Sequence, residues 1–257
     1  MENQTVDALS RLRLEGMMDA LEFQQRSPQF YNLSFDERLS HLLNAELTYR
    51  DERRMARLLR TAKLRLGASI ESLDFHGSRG LERSQILSLA SAGWVSNHDQ
   101  VAILGPTGVG KTYVACALAH AAIRKGYSAL YLRYPRLLEE LTIARGDGRF
   151  GRLLIAWAKV DILILDDFLI RPLGPDAASD TLEVIEDRYG QRSTILTSQL
   201  PIANWYEAIG DATVADAILD RVTTNLHRIE LNGESMRKVQ RTPVRDEGNQ
   251  PENQEFT

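Results

Sequence analysis

At 257 residues the chain has room for one large domain or a core with a smaller appendage, and 43% apolar with 26% charged residues is the balance of a soluble protein with a sizeable core. The net charge of −4 by itself argues for no nucleic-acid partner, and the single cysteine, Cys116, excludes an internal disulfide or a cysteine-rich zinc site and suits a reducing compartment. No apolar run approaches the roughly 18 residues that span a bilayer and no basic-then-apolar leader opens the chain, so a cytoplasmic protein with no membrane partner is expected.

Residues 1 to about 30 set Leu9, Leu12, Met17, Met18, Leu21 and Phe23 among charged residues, which predicts short amphipathic helices ending near Pro28. Ser34 followed by Glu37 is a capping box. Phe35, Leu39, Leu42, Leu43 and Leu47 then recur at helical spacing, and this helix is expected to run toward Leu66 and close at Gly67. Its second half carries Arg50, Arg53, Arg54, Arg57, Arg60, Lys63 and Arg65 against Asp51 and Glu52. Such a stripe in an acidic protein is a candidate contact for a phosphate backbone. The competing reading is a solvated face with Met55, Leu58 and Leu59 packed beneath it. Residues 67–99 read as a linker, because Gly67, Gly77, Gly80 and Gly93 break any period; Trp94 is a candidate anchor onto the next domain.

The chemistry begins after an apolar strand predicted at 100–104. It runs into Gly105-Pro106-Thr107-Gly108-Val109-Gly110-Lys111-Thr112, a G-x-x-x-x-G-K-T sequence, with a helix predicted over 111–125 and Gly126 at its C-cap. This is a P-loop. Its glycines let successive backbone N–H groups turn toward phosphate oxygens, and the positive end of the following helix points the same way. Lys111 is suited to the β- and γ-phosphates and Thr112 to Mg²⁺, with 105–113, Tyr113 included, as the nucleotide-binding set. Another strand follows at 128–132, and the alternation of strands with crossover helices predicts a mostly parallel sheet covered on both faces.

Two helical stretches between 135 and 158 flank Arg145-Gly146-Asp147-Gly148-Arg149-Phe150-Gly151-Arg152. Arg145, Arg149 and Arg152 on a glycine-rich connection make an adaptable positive loop, a candidate phosphate contact in the channel of an oligomer, weighed against plain solvation. The apolar strand at 160–165 ends in Asp166-Asp167, the second half of the nucleotide site: the first acid for the metal, the second to orient and deprotonate a water. A strand at 194–196 exits through Thr197-Ser198-Gln199, placing the Gln199 amide where it can sense a γ-phosphate. Arg221 precedes the last strand, 226–231, on a helix edge facing a neighbour, the place for an arginine inserted in trans. The five histidines show no metal-ligand spacing, and the Pro-, Asn- and Glu-rich residues 241–257 read as a disordered tail.

From Gly105 to Arg237 these segments resemble the AAA+ ATPases of the DnaC-like branch, and over nearly its full length the chain resembles the IstB-like transposition helper ATPases. The resemblance rests on 105–112, 162–167, 196–200, 219–222 and Gly233-Glu234-Ser235-Met236-Arg237, with Leu14-Glu15-Gly16-Met17-Met18 and 34–63 similar to that family's DNA-engaging head. It implies an α/β fold: an AAA+ P-loop three-layer core with a parallel sheet over 100–240, without a separate lid, preceded by a small all-helical domain over 1–66. It further implies that Lys111 and Thr112 are the Walker A pair, Asp166 the Walker B metal acid, Gln199 the first sensor, Arg221 the arginine finger and Arg237 a nucleotide contact. Asp167 departs from the usual glutamate and Gln199 from the commoner asparagine. The implied activity is DNA-stimulated hydrolysis of ATP with Mg²⁺ by a homo-oligomeric ring or spiral on duplex DNA, which remodels target DNA and recruits a transposase. The same core residues serve a DnaC-like replicative helicase loader, the alternative function; a small-molecule kinase lacks an acceptor-pocket signature here.

Overall fold

The structure, a computed structural model, describes residues 2–75 and 80–236. The chain opens with α1 (Glu2–Arg11), α2 (Glu15–Arg26) and the long α3 (Phe35–Ala62). Pro28 starts a single 3₁₀ turn, as expected where a residue without an N–H follows a helix. The capping box forms as predicted: the Glu37 amide donates to Ser34 Oγ at 3.3 Å and the Ser34 amide donates to Glu37 Oε2 at 2.8 Å. α2 lies close against α3 because Gly16 permits it. A Cβ at Gly16 would stand 2.7 Å from Tyr49 Cβ and 2.8 Å from the Ala45 carbonyl oxygen. Beside it the Met17 amide donates to the buried Glu46 carboxylate at 3.1 Å, so an acid neutralises the positive start of α2.

α3 ends earlier than its periodicity suggests. Ala62 is fully buried, and Lys63 takes the left-handed conformation (φ 49°) that Gly67 was expected to supply. The reason is packing: Leu58, Leu59, Ala62 and Leu64 all meet the core of the next layer, and a straight helix could not keep them there. Met55, expected beneath the basic stripe, is instead exposed. Residues 67–99 are likewise more than a linker. They contain α4 (Arg83–Ala90) and α5 (Gly93–Ser96), and Ala68, Ile86, Leu89, Trp94 and Val95 join the same core. Trp94 is buried, its indole donating to the Leu89 carbonyl at 2.9 Å.

Five parallel strands follow: β1 (Gln100–Leu104), β2 (Ala129–Arg133), β3 (Ile162–Asp166), β4 (Ser193–Ser198) and β5 (Leu226–Glu230), in the order β2-β3-β4-β1-β5. β1, β3 and β4 are buried along their whole length, whereas β2 and β5 at the edges are only partly covered. This accounts for the continuous apolar runs in the three central strands. Alternate residues feed two layers: Val101, Ile103, Ile162 and Ile164 pack with α6 (Lys111–Arg124), α4 and α5, while Ala102, Leu104, Leu163 and Leu165 face the opposite layer. That second layer holds α7 (Tyr134–Asp147), α8 (Phe150–Ala158), α9 (Pro175–Glu186), α10 (Trp205–Ile209) and α11 (Ala212–Thr223). Arg188 ties the amino ends of the strands together from a buried position. It donates to the carbonyls of Trp157 at 2.6 Å and Val160 at 3.0 Å and to that of Ser193, and burial pulls its pKa down to about 9. Among the described residues no helix is long and apolar enough to cross a membrane.

Candidate nucleotide site

The carboxyl ends of β1 and β3 stand on either side of β4, at the edge where a parallel sheet of this order opens a crevice. The P-loop lies there, between β1 and α6. Gly105 (φ 142°) and Gly108 (φ 86°) are obligatory: a Cβ would fall 2.1 Å from the Leu231 carbonyl oxygen at the first and 2.1 Å from Ser235 Oγ at the second. The segment after β5 therefore crosses directly over the loop, and the Met236 amide donates to the Gly108 carbonyl at 3.0 Å. Gly110 stands at the N-cap of α6 with no side chain to cap it, so the first-turn amides face the loop. Lys111 is buried, and its ammonium donates to the carbonyls of Gly105 at 2.7 Å and Pro106 at 2.8 Å.

Asp166, at the tip of β3, is fully buried and gathers four partners. Its Oδ1 accepts the hydroxyls of Thr112 at 2.8 Å and Thr197 at 2.6 Å; its Oδ2 accepts the Tyr131 hydroxyl at 2.6 Å and faces Arg65 Nη1 at 3.6 Å. Burial, reinforced by the bond to Asp166, raises the Tyr131 pKa, so this phenol stays protonated and donating at neutral pH. Asp167 turns the chain in a left-handed conformation (φ 62°) that an aspartate tolerates better than most residues. Its amide donates to Thr197 Oγ1 at 3.1 Å, and its Oδ2 accepts Arg133 Nε at 3.0 Å. The paired hydroxyl and carboxylate of Thr112 and Asp166 are hard oxygen donors, the kind Mg²⁺ takes, and they face the uncapped end of α6 where phosphates bind. The donor set fits a magnesium–triphosphate.

Beside Gly110 opens an apolar pocket of about 220 Å³, lined in part by Leu73, Leu81, Val109, Tyr113, Leu231 and Met236. It can accept a flat heterocycle. Leu73 and Leu81 escaped sequence reasoning because they lie in the stretch that looked like a linker. Thr197 and Tyr131 escaped it too, since only the strand order places β2 and β4 on either side of Asp166.

The remaining predicted residues are dispersed. Gln199 is exposed at the exit of β4 and lines a cleft with Gly105, Pro106 and Glu230; the residue that reaches Asp166 from β4 is Thr197. Arg221, in the last turn of α11, ion-pairs with Glu186 of α9 and donates to the Ala217 carbonyl at 2.8 Å. Arg237 lies outside the described residues. Arg50, Arg53, Arg54, Arg57 and Arg60 share one groove of about 800 Å³ with Arg13, against only Glu15 and Glu46. Lys63 is exposed at the end of α3, outside that lining. The expected loop around Arg145, Arg149 and Arg152 is a tight corner, since α7 runs to Asp147 and α8 begins at Phe150. Arg145 pairs with Asp180 and Glu183 and stacks 3.8 Å from the Phe150 ring centre, and Arg149 pairs with Asp147 at 2.7 Å. Arg152 is exposed.

Comparison with known proteins agrees with this geometry. The family described as IstB-like ATP binding protein matches residues 7–243. An insertion-sequence ATP-binding protein (y4pL) of Sinorhizobium fredii is 48% identical over 92% of this chain and 97% of its own length. The insertion sequence IS1162 ATP-binding protein of Pseudomonas fluorescens is 54% identical over 78% of this chain and 87% of its own. Among solved structures, the DnaC helicase loader superposes with a TM-score of 0.57 at 20% identity, over 66% of this chain and 100% of that one, a likeness that shows the AAA+ type of fold.

Proposed function

The chain belongs to the family of IstB-like ATP-binding proteins, and from that premise we propose that it is an ATP-switched, DNA-binding oligomer that prepares target DNA for an insertion-sequence transposase. In this reading Lys111 leaves its two loop carbonyls for the β- and γ-phosphates, and Thr112 and Asp166 hold the magnesium ion, which neutralises charge on the phosphates. The apolar pocket beside Tyr113 takes the base. Asp167 orients the attacking water once it parts from Arg133. Arg221 completes the site of a neighbouring copy. Its pair with Glu186 has to open for this, and the half-exposed Glu186 carboxylate is free to return to water when it does.

One observation carries the DNA part of the reading. The arginine groove of α3 is braced on the nucleotide-binding fold itself, because Arg54 donates to the Gly126 carbonyl at the end of α6 (3.2 Å) and Ala62 lies in the core beside α6. Deforming a duplex costs several kcal/mol, and a groove with six arginines against two glutamates is where the offsetting phosphate contacts lie. Electron microscopy of the protein with duplex DNA, Mg²⁺ and a nonhydrolysable ATP analogue tests the whole proposal. Rings or spirals enclosing bent duplex are expected; a chain that stays single and ignores duplex with nucleotide present overturns it. Capture of a replicative helicase without duplex binding would favour the loader function instead.

A further inference from the structure

Asp166 is faced by an arginine from outside the sheet, Arg65. Asp166 has four partners, of which Thr112, Thr197 and Tyr131 offer neutral hydroxyls, while Arg65 brings a positive charge to within 3.6 Å of Oδ2. Asp166 is fully buried, so it needs a compensating cation. Arg65 is 46% exposed, so its guanidinium has a direct route to water. A magnesium ion at Asp166 supplies the same compensation, and two cations at that separation repel. Guanidinium and metal are alternative partners of one carboxylate.

Arg65 also hangs from the element that carries the arginine groove. Arg60 lines the groove, Ala62 ends α3 in the core, Lys63 turns the chain left-handed, and Leu64 packs on the same core. The backbone at Arg65 and Leu66 lies against the Cys116 thiol of α6, the helix that starts with Lys111 and Thr112. Moving Arg65 therefore pulls on a short turn that is itself largely exposed but is anchored at both ends by the buried Ala62 and Ala68, with the nucleotide helix beside it and the groove on the helix before it.

We propose that Arg65 is a positioning residue that couples the two sites: Mg²⁺–nucleotide binding at Asp166 displaces its guanidinium and shifts the 63–67 turn, which resets the arginine groove of α3. This rests on the reading above that Asp166 holds the metal of a bound triphosphate. The test uses the full chain and a fluorescent ATP analogue titrated with MgCl₂, with an EDTA control, for wild type, Arg65→Ala and Arg65→Lys. Arg65→Ala should reach half-maximal Mg²⁺-dependent binding at about fivefold lower Mg²⁺, with binding in EDTA unchanged, while Arg65→Lys, which keeps the charge, stays near wild type. In a second arm, duplex affinity with and without Mg²⁺ and a nonhydrolysable analogue should differ about fivefold for wild type and converge for Arg65→Ala. An unchanged Mg²⁺ midpoint in Arg65→Ala, the same shift in Arg65→Lys, or a preserved duplex ratio in Arg65→Ala overturns the coupling. Absence of any duplex binding by wild type instead sinks the functional reading, while the Mg²⁺ arm still decides whether Arg65 is displaced.

Discussion

Four arginines of the sheet domain and the last arginines of α3 are held in opposite ways. In the sheet domain Arg133 faces Asp167, Arg145 faces Asp180 and Glu183, Arg149 faces Asp147 and Arg221 faces Glu186. On α3, Arg50 pairs with Glu46 at 2.6 Å, but Arg57 and Arg60 make no ion pair among the described residues, and Arg53 reaches Glu15 only at 3.9 Å. A cation with its own acid beside it is balanced within the fold; a run of unbalanced ones is where an external polyanion gains most. The net charge of −4 hides this, because it sums the acids and bases of the whole chain.

The comparison breaks most sharply at Arg221, the one paired arginine assigned to work in trans. Arg221→Ala should lower ATP turnover by about 10³-fold or more while leaving binding of a fluorescent nucleotide unchanged. Normal turnover would mean that Arg221 only braces α11 against Glu186, like the other paired arginines of its domain.

The next largest effect separates the two regions by stability. α2 and α3 meet at Gly16, away from both core clusters of the sheet domain. Gly16→Ala forces a methyl against Tyr49 Cβ and should destabilise the helical region by about 1–3 kcal/mol. Limited proteolysis should then cut before residue 62 more readily, with nucleotide binding retained. Simultaneous loss of nucleotide binding would show that the two regions unfold as one.

The same contrast separates the features that local sequence encodes from those that only the fold assembles. Gly105 to Thr112, Asp166 and the Ser34–Glu37 cap were legible because each is a local device whose residues are neighbours in sequence. The parallel sheet was legible too, from apolar runs separated by helical stretches. The gathering of Tyr131, Thr197 and Arg65 around Asp166 was not legible, since it depends on β2 and β4 flanking β3 and on α3 stopping at Ala62. The stop itself was misplaced at Gly67: a glycine is the usual left-handed residue, but burial of Ala62 and Leu64 puts Lys63 there. Residues 67–99 looked like a linker for a related reason. Their glycines break helical periodicity, yet Leu73 and Leu81 gain burial by walling the pocket beside Tyr113.

A smaller, more specific effect is expected in the groove. Each phosphate neutralised adds about 0.9 to the slope of log affinity against log salt, so Arg57→Ala with Arg60→Ala should flatten the duplex-binding slope by nearly 2. Nucleotide affinity should not change. Fluorescence anisotropy of labelled duplex across a salt series measures this, and an unaltered slope would move the DNA contact off α3.

The smallest effect on duplex affinity belongs to Arg145. Its guanidinium is already shared between Asp180 and Glu183 and lies flat on Phe150, so a phosphate would have to compete with two carboxylates and a ring. Arg145→Ala also leaves Asp180, which is buried, without its cation, so thermal stability should fall even though duplex affinity changes by less than about twofold. The two readouts pull apart only if Arg145 is structural. A drop in duplex affinity and salt slope matching that of the Arg57 and Arg60 pair, with melting unchanged, would put the polyanion at the α7–α8 corner and erase the contrast between balanced and unbalanced arginines.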